Sequence, residues 1–262
     1  MGRITEIVKH LLIINIIFFF ASSILGEIMY DLFAMHYPNN PNFFIWQPIT
    51  HMFMHGDFMH LAFNMFALWM FGSAIESIFG PRRFIFFYIT CGLGAAIAQI
   101  SYFYFIYYSN LEILMNAGYT ASDVLTTLNN GIVVNTAEGT FIENSNPLSR
   151  SFYNILDTNS KEFIGAFYSR MVGASGAIMG ILVAFGMFFP ESKLMLIFFP
   201  VPIKAKYFIP GIILLDLFSA ITGQAIFSPS NTAYIAHIGG ALTGFLIMYY
   251  WKKNQFNQNR WY

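Results

Sequence analysis

The chain has 262 residues, of which 56% are hydrophobic, 19% aromatic and only 10% charged. Soluble domains carry roughly a quarter charged residues, so this composition excludes an ordinary soluble protein and predicts that lipid surrounds most of the chain. Thirteen basic side chains balance thirteen acidic ones, which leaves no cationic excess for phosphates, and we expect no nucleic-acid partner. The single cysteine, Cys91, excludes an intramolecular disulfide.

Six apolar stretches follow one another along the chain, and we interpret them as transmembrane helices. They cover about residues 11–34, 58–79, 84–108, 171–190, 207–223 and 233–251. The first stretch has an alternative interpretation as a secretory signal, because Arg3 and Lys9 precede it. Leu194 to Ile203 is too short to span and holds two prolines, so we predict an interfacial connection. The expected fold is an all-α membrane protein, with residues 1–262 forming one six-helix domain.

The charges predict an orientation. Ten of the thirteen basic residues fall on the side of both termini, so the positive-inside rule puts the termini in the cytoplasm. We expect a multi-pass protein of a bacterial cytoplasmic membrane. By parity, the long polar segment 109–167 is extracytoplasmic, and we interpret it as an insertion because it shows no nucleophile motif and no metal-ligand spacing.

Polar side chains inside the spans are costly, so each is a functional hypothesis. They are His60, Asn64, Glu76, Ser175, Asp216 and His237. Even-numbered spans begin at the same face, and counting inward at 1.5 Å per residue puts Asn64, Ser175 and His237 at a depth of roughly 6 to 9 Å. His60 lies on the same helix face as Asn64, one turn away. A hydroxyl, two imidazoles and an amide in one layer are the groups that acyl transfer needs.

Small residues surround the serine and the second imidazole. Gly173 and its neighbours would let a loop turn sharply into a helix at Ser175, which exposes the hydroxyl and a backbone N–H. Four further glycines form small faces on the fourth and sixth spans, where two backbones can approach closely. They are Gly176, Gly180, Gly240 and Gly244. The alternative is ordinary membrane packing, with the Ser175 hydroxyl bonded to its own backbone.

Four segments resemble the motifs of the rhomboid intramembrane serine proteases. They are His55-x4-His60-x3-Asn64, Gly72-x3-Glu76-x3-Gly80, Gly173-Ala174-Ser175-Gly176-x3-Gly180 and Ala236-His237-x2-Gly240-x3-Gly244. They occur in the family's order on the expected spans, over about residues 43–83 and 168–251. The resemblance implies a six-helix rhomboid-like bundle that cleaves transmembrane proteins near the outer end of their helices, without a cofactor or metal.

The resemblance also implies roles for single residues. Ser175 would be the nucleophile and His237 the general base of a dyad that has no acid. His60, Asn64 and the Ser175 backbone N–H would form the oxyanion hole. The fifth span and the loop to Tyr234, including Pro229, would form a lateral gate for the substrate. Neither the natural substrate nor the oligomeric state follows from the sequence.

Two positions depart from the family pattern. The first loop has Trp46-Gln47 where the family commonly has Trp-Arg, so an arginine that helps to fix this loop is missing. Met179 stands four residues after the serine, where many bacterial members place an aromatic residue against the base histidine. Methionine can still pack on an imidazole, so we expect an altered orientation or rate rather than an inactive enzyme.

The remaining polar residues have structural interpretations. We expect His55 to anchor the loop before the second span, and Glu76 to be a hydrogen-bonding or ion-pair anchor beside Arg82 and Arg83. Asp216 either bonds a nearby polar group or marks a proton path. A metal site is disfavoured, because His51, His55 and His60 do not converge on a helix. Two other functions stay open: a transporter, and an inactive rhomboid relative that binds transmembrane clients.

Overall fold

The computed structural model describes residues 3–136, 139–143, 152, 155–156, 160–196, 199–224 and 233–258. Helices dominate these residues, which confirms the all-α membrane bundle. The helices are α1 (Glu6–Leu25), α2 (Glu27–Phe33), α3 (Gln47–Thr50), α4 (Phe58–Ala67), α5 (Ser73–Phe79), α6 (Pro81–Asn116), α7 (Ala121–Asn129), α8 (Ser160–Tyr168), α9 (Ser175–Phe188), α10 (Ala205–Thr222) and α11 (Tyr234–Gln258). Two antiparallel hairpins pair β1 (Ile132–Thr136) with β2 (Gly139–Glu143) and β3 (Lys193–Leu196) with β4 (Phe199–Lys204).

Four helical stretches of the described chain are long and apolar enough to cross a membrane. They are α1, α6, α10 and the run Phe58–Phe79, in which a π-helical segment joins α4 to α5. The fourth predicted span corresponds to α9, which has 14 residues and is shorter than the other four. The sixth corresponds to α11. The all-α bundle is therefore established, while the count of six crossings stays a prediction.

Several predicted boundaries differ from the structure. The first stretch breaks at Gly26, whose positive φ of 57° ends α1 and separates it from α2. The third continues without a break to Asn116, so the first residues of the predicted insertion are helical. A helix of 36 residues is about 54 Å long and extends well beyond a hydrocarbon core of about 30 Å. The connection predicted around Leu194 to Ile203 is the β3–β4 hairpin.

Buried apolar side chains form three clusters among the described residues, and the two larger ones are separate from each other. The bundle core draws on all the long helices and includes Leu11, Phe71, Phe84, Cys91, Met179, Ile209 and Ala241. The insertion core lies between the far end of α6, α7 and α8, and includes Tyr37, Tyr107, Leu114, Val124, Leu128, Phe163 and Phe167. Tyr37 belongs to the loop after α2, so this loop is held by the second core. The helices α4, α9 and α11 all begin at the end of the bundle where that loop lies.

Candidate active site

Ser175 is the first residue of α9, at the end of a tight turn. Gly173 has a φ of 121°, a conformation that side-chain-bearing residues rarely adopt. The Gly173 N–H donates to the His51 carbonyl at 2.9 Å, which fixes the turn against the preceding loop. The serine side chain is thus held at a helix N-terminus, where backbone N–H groups have no partner within the helix.

His237 lies in the first turn of α11 and faces Ser175. Its Nε2 is 2.8 Å from Ser175 Oγ. The imidazole is mostly buried, with 12% of the side chain exposed. A hydroxyl at hydrogen-bonding distance from an imidazole nitrogen is the arrangement in which the imidazole can take the hydroxyl proton.

The close approach of α9 and α11 depends on glycine. A Cβ at position 240 would lie 1.9 Å from the Gly176 carbonyl oxygen, and one at position 244 would lie 2.6 Å from Gly180 Cα. Behind this contact, a Cβ at position 180 would lie 2.4 Å from Cys91 Sγ on α6. No side chain fits at these places, so the small faces bring the two helix backbones together.

Asp216 is the residue that the sequence analysis did not place in the site. Its Oδ2 lies 2.8 Å from His237 Nδ1, and its side chain is 3% exposed. The resemblance implied a dyad without an acid, and Asp216 had been interpreted as a structural group or a step on a proton path. The depth argument could have found it: Asp216 lies six residues before the end of α10 at Thr222. That is about 9 Å from the helix end, within the depth range of roughly 6 to 9 Å predicted for Asn64, Ser175 and His237.

His60 and Asn64 lie on α4 beside the serine turn. A Cβ at position 173 would be 2.8 Å from His60 Nε2 and 3.6 Å from Ser175 Oγ, so Gly173 leaves both groups facing one small space. Asn64 is one helical turn further on and is 6% exposed. Its Nδ2 is buried and has no hydrogen-bond partner among the described residues. An unpartnered buried amide donor is unusual in a folded protein.

The ring of His55 packs edge-on against His60, with ring centroids 5.0 Å apart. Burial, as the main cause, and the neighbouring His60, as the second, lower the pKa of His55 to about 3. The His55 ring is therefore neutral. Tyr30 fixes the backbone at this point, because its hydroxyl donates to the His55 carbonyl at 3.1 Å. The ring nitrogens of His55 have no hydrogen-bond partner among the described residues, so its anchoring role stays a prediction.

Gln47 occupies the position of the missing arginine and ties the loop together. Its amide nitrogen donates to the carbonyls of Asp31 at 2.9 Å and Asn42 at 2.7 Å, while its Oε1 accepts the His36 N–H at 3.2 Å. The side chain is fully buried. Next to it, Trp46 donates its indole N–H to the Leu32 carbonyl at 2.8 Å. A glutamine therefore fixes this loop through three bonds, which the family pattern alone did not predict.

Glu76 lies far from the serine and caps the start of α1. Its carboxylate accepts the backbone N–H groups of Ile7 and Val8, each at 2.9 Å, and the Thr5 hydroxyl. A carboxylate at a helix N-terminus satisfies free donors and the helix dipole. Of the two predicted alternatives, the structure has the hydrogen-bonding anchor; within the described residues Glu76 makes no ion pair with Arg82 or Arg83.

Two further predictions concern the surroundings of the site. Met179 is buried in the bundle core at 5% exposure, and its contact with the imidazole stays a prediction. Residues 225–232 of the predicted gate, which include Pro229, lie outside the described residues. Among the residues that are described, no three His, Cys, Asp or Glu side chains are grouped to hold a metal ion.

Comparison with known proteins gives a match to the Rhomboid domain family over residues 42–105 and 104–254. Rhomboid protein 1, mitochondrial, of Saccharomyces cerevisiae is 23% identical over 77% of this chain and 40% of its own length. The human presenilin-associated rhomboid-like protein, mitochondrial, is 26% identical over 78% of this chain and 38% of its own. The rhomboid protease GluP of Bacillus subtilis is 39% identical over 21% of this chain and 11% of its own.

These relatives correct the predicted location. Two proteins that match more than three quarters of the chain are mitochondrial, whereas the bacterial protease GluP matches only 54 residues. The prediction of a bacterial cytoplasmic membrane, with both termini in the cytoplasm, is therefore wrong, because relatives that match most of the chain are mitochondrial proteins. The positive-inside count could not reveal this, because it orients a chain in a membrane without saying which membrane it is. The chain spans about two fifths of the length of its mitochondrial relatives.

Proposed function

Because the chain belongs to the rhomboid family, we propose that it is an intramembrane serine protease in which Ser175 is the nucleophile and His237 the general base. The observation that carries this proposal is the 2.8 Å separation of Ser175 Oγ and His237 Nε2, with the His237 side chain 12% exposed. Relatives named as rhomboid proteases in bacteria support the same activity.

The reaction would proceed in two acyl-transfer steps. Ser175 Oγ attacks the carbonyl carbon of the scissile peptide bond as its proton passes to His237 Nε2. The imidazolium then gives this proton to the departing amine, so the C–N bond breaks and an ester remains on Ser175. A water molecule that loses a proton to His237 attacks the ester, and the carboxylic acid leaves as the serine is restored.

An oxyanion would form in both steps, and we propose that three donors stabilise it. They are the Ser175 backbone N–H, the His60 ring and Asn64 Nδ2. The amide of Asn64 is buried without a partner among the described residues, which costs on the order of 1–3 kcal/mol in the free enzyme. A bond to the oxyanion would remove that cost in the transition state, and this difference is what accelerates a reaction.

The substrates we propose are transmembrane proteins of a mitochondrial membrane. The site lies about 9 Å or less from the ends of the helices that carry it, as counted from Ser175 at the start of α9 and Asp216 near the end of α10. A substrate helix would have to unwind near its end to bring a peptide bond to this depth. The shallow position would also let water enter for the second step.

The test is cleavage of a transmembrane reporter protein in proteoliposomes by the wild-type chain, Ser175→Ala and His237→Ala. We expect both variants to lose product by at least about a thousandfold, because each removes a member of one catalytic unit. A fluorophosphonate probe should label the wild type and not Ser175→Ala, whatever the natural substrate is. Cleavage that persists in the folded Ser175→Ala variant, or a wild type that takes no label, would contradict the proposal.

A further inference from the structure

We propose that Asp216 is a positioning residue for His237, so that the site works as an Asp–His–Ser relay rather than the acid-free dyad that the family resemblance implies. This inference rests on the proposed function. It concerns a residue on α10, a different helix from those that carry the serine and the imidazole.

The geometry gives each imidazole nitrogen one partner. Asp216 Oδ2 lies 2.8 Å from Nδ1, and Ser175 Oγ lies 2.8 Å from Nε2. A neutral imidazole has one N–H donor and one acceptor nitrogen, and a carboxylate can only accept. The pair with Asp216 therefore puts the proton on Nδ1 and leaves Nε2 to accept the serine proton. The same bond fixes the rotation of the ring toward the serine.

Burial makes a purely structural role a poor explanation for this carboxylate. The Asp216 side chain is 3% exposed, and within the described part of the chain its one ion-pair partner is His237. A carboxylate in a membrane span is costly unless it is paired. An apolar residue would pack α10 without that cost, as Ile209 does on the same helix at 3% exposure.

Asp216 would also stabilise the positive charge that forms on His237 during catalysis. When His237 takes the serine proton, an imidazolium arises in surroundings of low polarity, where an isolated cation is strongly disfavoured. A carboxylate 2.8 Å from the other nitrogen is already in place to stabilise it. The effect appears only as the proton moves, so it should act on kcat and leave substrate binding nearly unchanged.

The experiment compares Asp216→Asn, Asp216→Glu and Ser219→Ala with the wild type in proteoliposomes. Ser219 is the matched control, since it lies one turn further along α10 and is buried to the same 2% exposure. Readouts are kcat and KM for a transmembrane reporter, the rate of fluorophosphonate labelling of Ser175, and the thermal unfolding midpoint. If Asp216→Asn does not fold, Asp216→Ser replaces it in each comparison.

We expect Asp216→Asn to lower kcat by 10²- to 10⁴-fold, up to the loss of about 10⁴ that the same change causes in soluble Ser-His-Asp proteases. The labelling rate should fall with kcat, while KM changes less than about threefold. Asp216→Glu should recover at least tenfold of the lost kcat, because it keeps the carboxylate. Ser219→Ala should match the wild type.

Provided that the wild type is still labelled, any of three results would overturn the inference. The first is a kcat of Asp216→Asn within threefold of the wild type, and the second is an Asp216→Glu enzyme that recovers none of the lost kcat. The third is an equal loss of kcat in Asp216→Asn and Ser219→Ala, together with a lower unfolding midpoint. The last result would assign Asp216 to the packing of α10. A wild type that neither cleaves nor takes the label would instead contradict the proposed function, so the two failures are distinguishable.

Discussion

The bundle core and the insertion core share aromatic packing, as at Phe71 and Phe185 in the bundle, but they differ in how closely their helices approach. In the bundle, helix backbones touch where side chains are missing, as at Gly240 against the Gly176 carbonyl. In the insertion, large rings fill the space: Tyr107 stacks on Phe163 at a centroid distance of 5.5 Å, and Tyr37 packs on Tyr104 and Tyr107. A backbone contact admits only glycine, because a Cβ at such a position would overlap the facing helix. The chemistry lies in the part whose residues are the more tightly constrained.

The strongest test of this comparison is Gly240→Ala. Its new methyl group would lie 1.9 Å from the Gly176 carbonyl oxygen, so α9 and α11 must separate and Ser175 must leave His237. We expect cleavage and fluorophosphonate labelling to fall by at least about a thousandfold, since misplacement by 1 Å alone can cost about a hundredfold. The measurement is kcat together with the labelling rate.

Gly211→Ala is the matched control for this change. Gly211 lies within α10, and a Cβ there would meet nothing within 4 Å. Alanine is favoured over glycine in a helix by up to about 1 kcal/mol, so the control should fold at least as well as the wild type and retain full activity. A Gly240→Ala enzyme as active as Gly211→Ala would show that close backbone contact is not needed.

The second prediction concerns Asn64→Ala. The change removes one oxyanion donor, which typically costs on the order of 10² to 10³ in kcat. Because the amide nitrogen has no partner among the described residues, the unfolding midpoint should not fall. Phe63→Ala, at an adjacent residue that is 47% exposed, should leave kcat unchanged. A drop in stability without a drop in kcat would assign Asn64 to packing.

The third prediction asks whether the two cores are separable. Phe163 is 1% exposed in the insertion core, and Phe84 is fully buried in the bundle core. Truncating a buried phenylalanine to alanine costs about 3–5 kcal/mol. We expect Phe163→Ala to speed hydrogen exchange in α7 and α8 while cleavage falls less than about tenfold. Phe84→Ala should destabilise the helices around the site and lower cleavage much more.

Equal losses of cleavage in the two phenylalanine variants would show that the insertion supports the site directly. A route exists for such support, because Asn40 donates to the Phe167 carbonyl at 3.0 Å and the backbone of Met35 bonds that of Met171, two residues before Gly173. The comparison would then have to be redrawn around the loop after α2.

The difference between the cores also explains what the sequence could predict. Ser175 and His237 can be predicted because glycine spacing and depth within a span follow directly from the amino-acid sequence. The structure brings the two side chains to hydrogen-bonding distance. Asp216 stands out in the sequence as a polar residue within a span, but its role does not follow from the sequence because its partner lies on another helix, 21 residues away. Gln47 stands out in the sequence only as a departure from the family's Trp-Arg pattern, since its three side-chain bonds to the loop backbone produce no residue spacing that a sequence would show. The insertion core shows no periodic pattern in the sequence, because its residues come from α6, α7, α8 and the loop after α2.

The smallest effect is expected where neither kind of packing operates, at Glu191 between α9 and β3. Hydrogen bonds from two lysines lower the pKa of the Glu191 carboxyl from its ordinary 4.5 to about 2, and the bond from Lys204 has a larger effect than the bond from Lys206. A lowered pKa means that these ion pairs stabilise the fold fully above pH 4.5 and that this contribution is lost as the pH falls toward 2.

The lysines lie 2.6 and 2.5 Å away, but all three side chains are exposed, so water and salt screen the attraction. Glu191→Gln should therefore leave the unfolding midpoint and kcat unchanged within error at pH 7, and any small difference in stability from the wild type should shrink below pH 4.5, disappear near pH 2, and weaken in high salt. A clear loss of stability at pH 7 that salt does not reduce would mean that the β3–β4 hairpin depends on this carboxylate. Positions that accept only one kind of residue would then not be confined to the glycine contacts of the bundle core.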